Sequence, residues 1–184
     1  MNHGYSSGDS AGAPFDLNEK LGPWVVVAPQ DDRLVAAQLG IMGERGAVAR
    51  RLDAQRMGDP PELFCEFSRV LGFPSYFGHN WDALVDCLDD LHGDWHGNSD
   101  VAVVVDNADS LLVADFLPLF VSVLCQAAER ANSAVDLDGD PLSRPAIALH
   151  FVLAVKEHEP RVFLEPLQKS GRSVIGLGRY VLVQ

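Results

Sequence analysis

Four closely spaced aspartates are the residues of this sequence that are best suited to chemistry. If their segment is helical, all four fall within about 100° of arc: Asp82, Asp86, Asp89 and Asp90. Such carboxylates could bind a metal ion, act as a general acid and base, or attract a cationic partner. Acid–base catalysis would need one carboxyl group with a raised pKa in an apolar pocket. The predicted exposure of Asp82 and Asp86 argues against it.

The acidity of the chain is concentrated around these aspartates. The 184 residues carry 14 Lys and Arg against 26 Asp and Glu, a formal net charge of −12. Residues 70–129 contain ten acidic residues and no Lys or Arg, which leaves a charge of only −2 for the rest of the chain. This distribution argues against nucleic acid as a direct partner, because phosphate binding needs clustered cations. It favours a basic partner.

The aspartate segment predicts a helix with two different sides. Its apolar side is spaced for burial in the core and consists of Trp81, Leu84, Val85, Leu88 and Leu91. On the acidic side, the pairs Asp82–Asp86 and Asp86–Asp90 are each unfavourable by ~0.2–0.5 kcal/mol. A helix face that meets only water would more naturally combine Glu with Lys. We therefore interpret the acidic side as a surface that binds positive charge.

Alternating strands and helices position this segment. The predicted strands are Trp24–Ala28, Ala47–Leu52, Val101–Val105, Ala146–Val155 and, at the end of the chain, Ser173–Val183. The predicted helices are Asp31–Leu39, Pro60–Leu71 and Trp81–Leu91, with one or two more over Asp109–Asn132 and a break near Pro118. This alternation predicts an α/β domain with a largely parallel sheet.

The ends of the chain and its cysteines bear on domain organisation and compartment. Residues 1–16 are predicted to be a flexible tail without a secretory signal, and residues 17–184 a single domain. The apolar stretch at residues 111–128 is interrupted by Asp115 and Pro118, so we interpret it as a core helix rather than a membrane span. Three cysteines are too few for a disulfide framework, and we expect a cytoplasmic protein.

Residues Phe73–Leu88 read FPSYFGHNWDALVDCL. This segment resembles the barstar family, the intracellular protein inhibitors of secreted guanyl-specific ribonucleases such as barnase. The family's residue types stand at Pro74, Tyr76, Gly78, Asn80, Asp82, Ala83, Leu84, Asp86, Cys87 and Leu88. Phe77–Leu84 carries the FGxNWDAL form that is frequent in actinobacterial-type members, and a weaker resemblance extends over residues 47–155.

The resemblance implies a barstar-like α/β fold of two layers, a three-stranded parallel sheet with helices packed on it. Here, extra N- and C-terminal strands would be added. It implies a non-enzymatic inhibitor without a cofactor, whose partner is a secreted guanyl-specific ribonuclease, barnase-like or Streptomyces-type, with no direct nucleic acid and no membrane. Asp86 would replace the RNA phosphate and Asp82 would pair with an arginine. The ribonuclease-binding residues would be Tyr76, Gly78, Asn80, Trp81, Asp82, Val85, Asp86, Asp90 and Trp95.

The chain also departs from the family pattern. Val85 stands where the best-known member has a tryptophan, so the aromatic contact made there is missing. The family's second acidic contact aligns with Gln126 or Ala127, and the nearest acid is Glu129. These changes leave room for an alternative, an immunity protein of the same fold against a different basic toxin nuclease.

Three other groups of residues could carry chemistry, and we consider each of them weaker. His92 and His96 could bind a metal, but Gly93 and Gly97 favour a loop there. Residues 136–140 resemble a calcium loop superficially, but the glycine is misplaced, so a turn is expected. Cys87 with His79 could form a nucleophile and base, but the surroundings are negative, which disfavours a thiolate.

Overall fold

The computed structural model describes residues 13–92, 99–133 and 145–184. Within these residues, six strands form one sheet in the order β2-β3-β4-β1-β6-β5. They are β1 (Val25–Pro29), β2 (Val48–Asp53), β3 (Val101–Asp106), β4 (Leu149–Val155), β5 (Val174–Leu177) and β6 (Tyr180–Val183). Strands β2, β3, β4 and β1 are parallel, whereas β6 pairs antiparallel with β1 and β5 pairs antiparallel with β6.

In the described part of the chain, five α-helices connect or follow these strands. They are α1 (Arg33–Glu44), α2 (Pro60–Leu71), α3 (Trp81–Asp89), α4 (Leu117–Asn132) and α5 (Leu164–Gln168). Asp32, Asp59 and Asn80 cap the first three, each with a side-chain oxygen that accepts from backbone N–H groups of the first turn. Among the described residues, no helix has the length and apolarity that a membrane span requires.

The sheet is covered on both faces, and this explains the run of β-branched residues in β3. Successive side chains of a strand point to opposite faces. Val101, Val103 and Val105 therefore join the core beneath α2, α3 and α4. Ala102 and Val104 join a smaller core under α1. The helix α3 belongs to the larger core, so the acidic segment and α1 lie on opposite faces of the sheet.

The sheet is larger than the predicted three parallel strands, and the predicted extra N- and C-terminal strands account for the difference. β2, β3 and β4 do pair in parallel, but β1 adds a fourth parallel strand beside β4. The segment at 173–183, predicted as one strand, folds back as the hairpin β5–β6 instead. The reason is local, because Gly178 has a φ of +60°, a left-handed conformation that suits a glycine in a tight turn.

Several other boundaries differ from the sequence predictions. Helix α1 runs to Glu44 rather than Leu39, because Met42 is buried and extends the contact with the sheet. Helix α3 ends at Asp89 and continues as a short 3-10 turn, while α5 was not predicted. Residues 1–12 of the predicted tail lie outside the described residues. Phe15, within that predicted tail, is buried, and the Gln38 amide donates to its carbonyl oxygen at 2.6 Å.

The backbone conformation of Gly72 leads to a stability prediction for the turn that precedes the acidic segment. Gly72 ends α2 with a φ of +69°, so Gly72→Ala should lower the free energy of unfolding by about 1 kcal/mol. As the control, Gly40→Ala lies within α1, where an added methyl group meets no atom within 4 Å, and it should raise stability by up to about 1 kcal/mol. Urea unfolding of both variants measures the difference. A loss of stability in both variants, or in neither, would contradict this account.

Candidate functional site

The loop before α3 is held by aromatic packing. Phe77 is buried and packs edge-on against Phe64 and Phe73, with ring centroids 6.2 Å and 5.0 Å away. Its backbone N–H donates to the carbonyl oxygen of Pro74 at 2.9 Å, which closes a turn. Tyr76 lies on the outside of this turn and is 77% exposed. The loop therefore presents an aromatic side chain to solvent from a fixed base.

The start of α3 is fixed by short-range hydrogen bonds. The Asn80 side-chain oxygen accepts from the Ala83 N–H at 2.9 Å, and its amide nitrogen donates to the Gly78 carbonyl at 3.3 Å. A Cβ at Gly78 would lie 3.0 Å from that amide nitrogen, a tight contact that would push the Asn80 side chain away from its position at the helix start. The two family-type residues Gly78 and Asn80 thus act together to set the direction in which the helix begins.

Helix α3 has one buried and one exposed side, as its sequence predicts. Leu84, Val85, Cys87 and Leu88 are buried, whereas Asp82, Asp86 and, just after the helix, Asp90 are exposed. Asp89, the fourth aspartate of the predicted acidic side, is half-buried. We call Asp82, Asp86 and Asp90 the acidic row. Trp81 is half-buried and packs edge-on against Phe64, with ring centroids 4.9 Å apart, and it also contacts Phe116 and Phe120. The acidic row therefore lies on α3 and the 3-10 turn that continues it, and the core holds this segment in place.

An arginine of α4 contacts the middle of the acidic row. Arg130 Nη1 lies 3.2 Å from Asp86 Oδ1, and the two side chains are 36% and 70% exposed. An ion pair this exposed contributes little to stability, roughly 0–1 kcal/mol. It does offset the repulsion that Asp86 feels from Asp82 and Asp90. Arg130 is the first cation after the stretch without Lys or Arg, and that position was the only sequence signal for it.

The three candidates for the second acidic contact lie in different environments on α4. Gln126 is exposed, and Ala127 is fully buried, so the Ala127 side chain cannot reach a partner. Glu129 is exposed but already paired, because Arg172 Nη1 of the C-terminal segment lies 2.6 Å from Glu129 Oε1. A partner that uses Glu129 would have to compete with Arg172.

The structure does not place every predicted site residue on this surface. Val85 is only 3% exposed, because it lies four residues after Trp81 on the apolar side of α3, so it cannot offer its side chain to a partner. Trp95 lies outside the described residues. Tyr76, Gly78, Asn80, Asp82, Asp86 and Asp90 are exposed and lie on one continuous loop and helix, with Trp81 half-buried at its start.

The alternative chemistries gain no support from the described part of the chain. In residues 13–92, 99–133 and 145–184, no three His, Cys, Asp or Glu side chains form a group that could hold a metal ion. The site suggested at His92 and His96, and the turn at residues 136–140, depend on side chains outside the described residues. Burial, and then the charges of Asp90 and Asp86, raise the pKa of the Cys87 thiol. A raised pKa disfavours the thiolate that a nucleophile needs.

Comparison with known proteins assigns the chain to a family of inhibitors. Residues 47–142 match the family model described as Barstar (barnase inhibitor), which is just over half of the chain. The protein therefore belongs to the barstar family, as the segment Phe73–Leu88 predicts. The match includes β2, α2, α3, β3 and α4, and ends before β4. A search of curated proteins and a search of solved structures found no match.

Proposed function

We propose that this protein binds and blocks the active site of a secreted guanyl-specific ribonuclease, with its acidic loop and helix in the place of RNA phosphate. The observation that carries the proposal is the acidic row. Three exposed aspartates lie on α3 and the 3-10 turn that follows it, a segment fixed by the core, in a protein of a family of barnase inhibitors. The binding surface comprises residues 76–90.

Charge complementarity supports this proposal. A pocket that binds phosphodiesters must be cationic, so a rigid row of carboxylates matches it. The aspartates of the row repel one another in the free protein, and cations from a partner would remove that repulsion. Opposite fields also accelerate the encounter of the two proteins, which benefits an inhibitor of a toxic enzyme in the cytoplasm of the cell that makes it.

Five residues of this surface have distinct roles in the proposal. Asp86, in the middle of the row, takes the place of the RNA phosphate, and Asp82 pairs with an arginine at the rim of the ribonuclease pocket. Tyr76 supplies an aromatic contact at the edge, while Gly78 and Asn80 set the course of the loop. The protein does no chemistry on the ribonuclease and uses no cofactor.

Two observations favour a second candidate, a different basic toxin nuclease as the target of the same surface. The side chain at position 85 is buried, so α3 makes no aromatic contact at that point. Arg172 also pairs with Glu129, which changes the charge available on α4. A nuclease unlike barnase would bind Asp86 in the same way but would make different contacts with the residues around Asp86.

Asp86→Ala should be the most damaging single change to inhibition, followed by Asp82→Ala. Losing one partner of a buried interfacial charge pair typically costs about 2–5 kcal/mol or more, and barnase with barstar is a known example of such costs, with some charge pairs above this range. The range of about 2–5 kcal/mol corresponds to a loss of affinity of roughly thirty-fold to several-thousand-fold. Titration of each variant into a guanyl-specific ribonuclease cleaving RNA measures the loss.

Glu44→Ala is the matched control for this experiment. It removes the same charge from an exposed position at the end of α1, on the opposite face of the sheet, and should leave inhibition unchanged. Both aspartate variants should keep a free energy of unfolding within about 0.5 kcal/mol of the wild type, because Asp86 loses both an exposed ion pair and a repulsion. Equal inhibition by wild type and Asp86→Ala would exclude the proposed surface.

The contact between Asp86 and Arg130 predicts that a substitution of Arg130 accelerates binding of the ribonuclease, in contrast to the aspartate variants. Arg130 places a positive charge beside the carboxylate that would meet the ribonuclease cations, so it opposes their approach. Arg130→Gln should therefore raise the association rate constant several-fold at low salt, and the gain should shrink as ionic strength rises. Stopped-flow association measures it. Slower association of this variant would show that Arg130 supports binding instead.

A further inference from the structure

The strand order of the sheet creates a crevice that the inhibitor surface does not use. β4 and β1 are parallel neighbours. After β4 the chain turns to the face of the larger core, where Phe163 and Leu167 are buried. After β1 it turns to the other face, where α1 packs. Neighbouring strands whose connections leave to opposite faces open a crevice at their carboxyl ends, and open α/β sheets bind ligands at this position.

Positively charged side chains line this crevice. A cavity of about 490 Å³ lies between the ends of β1 and β4, the loop that follows β4 and the β5–β6 turn. The residues that could carry positive charge are Lys156, His158, Arg161 and Arg179, and the acidic residue of the lining is Glu159. The volume falls within the ~300–1,000 Å³ typical of small-molecule sites. The volume and the basic lining therefore suit an anion, while Asp32 and Asp109 offset part of the charge of Arg179 and His158.

The loop that carries Lys156 and His158 is held in place by the largely buried carboxylate of Asp109. The Asp109 carboxylate accepts from the backbone N–H groups of Lys156, Glu157 and His158 at 2.7–3.1 Å, and His158 Nδ1 lies 2.9 Å from it. Burial alone would raise the pKa of Asp109, but these hydrogen bonds outweigh it and lower the pKa. Asp109 therefore stays ionised and fixes the loop.

The two arginines are also oriented by the protein. Arg161 Nε donates to the Gly178 carbonyl at 3.0 Å, and this bond directs its guanidinium along the turn. Arg179 Nε lies 3.5 Å from the buried carboxylate of Asp32, which also accepts from the Tyr180 hydroxyl at 3.1 Å. Since both guanidinium groups are positioned before any ligand arrives, less conformational entropy would be lost on binding.

The crevice belongs to a part of the chain with a different charge and outside the matched family region. Residues 145–184 contain five basic and three acidic residues, a net charge of +2 in a chain of −12. All residues of the lining lie before residue 47 or after residue 142. Inhibition through the acidic row therefore gives no reason for these cations to be gathered here.

We propose that this crevice binds the phosphate group of a phosphorylated small molecule. The planar forks of Arg161 and Arg179 match phosphate oxygens in geometry, and Lys156 adds a compact charge beside them. The acidity of residues 70–129 would repel a polyanion as large as RNA, whereas a small phosphate compound meets only the local field of the crevice. This site is independent of the proposed inhibitor function.

Calorimetric titration of the whole protein with inorganic pyrophosphate and with ADP, at ionic strength held constant with NaCl, tests the proposal. The wild type should bind at one site. Lys156→Gln combined with Arg161→Gln should weaken binding roughly tenfold or more, because two charge-assisted contacts are lost. Binding of both probes would indicate a nucleotide-like ligand, and binding of pyrophosphate alone an inorganic or smaller phosphate ligand. Both results support a phosphate site.

Lys20→Gln combined with Lys169→Gln is the matched control, since it removes two exposed cations outside the crevice. This variant should bind both probes like the wild type. Lys156→Gln alone, which leaves the Arg161–Gly178 hydrogen bond intact, should show a smaller but measurable loss of affinity. Absence of binding by the wild type, or equal affinity of the wild type and the crevice variants, would overturn the proposal whatever the outcome of the ribonuclease titration.

Discussion

Burial of the apolar side of α3 is the interaction on which the candidate site depends. Each of Leu84, Val85 and Leu88 contributes about 1.5–3 kcal/mol when fully buried. Each like-charge pair of the acidic row opposes the helix by only about 0.2–0.5 kcal/mol. The core therefore outweighs the repulsion by a wide margin, and the chain can keep three aspartates side by side on a short helix and the turn that continues it. Under the proposed function, the cationic active site of a partner would complement this row.

Helix α3 could be predicted from local sequence signals, whereas the ion pairs between its surroundings and distant residues could not. Its start at Trp81 follows from Asn80, whose side chain caps a helix within three residues, and its two sides follow from spacing alone. The pairs Asp86–Arg130 and Glu129–Arg172 join residues 44 and 43 positions apart, and no periodicity reports such contacts. The prediction that Val85 belongs to the binding surface rests on resemblance alone and is wrong for its side chain, whose spacing on the apolar side of α3 indicates burial.

The sheet shows a similar division. The parallel strands β2, β3 and β4 follow from β-branched and apolar runs separated by helices, whereas the place of β1 beside β4 depends on which edge the first strand joins. That placement has two consequences. It brings α1 onto the second face of the sheet, and it makes the carboxyl ends of β1 and β4 the point where the connections diverge. The acidic row thus lies on a helix packed against one face of the sheet, and the crevice lies at the carboxyl ends of β1 and β4.

The most direct test of the central claim is amide hydrogen exchange of the whole protein, alone and with one equivalent of a guanyl-specific ribonuclease. The account predicts slower exchange in residues 76–83, which include the loop and the first turn of α3, with no change in the loop at 156–161. Unchanged exchange across residues 76–90 in a mixture whose ribonuclease is inhibited would contradict it, because inhibition would then come from another surface.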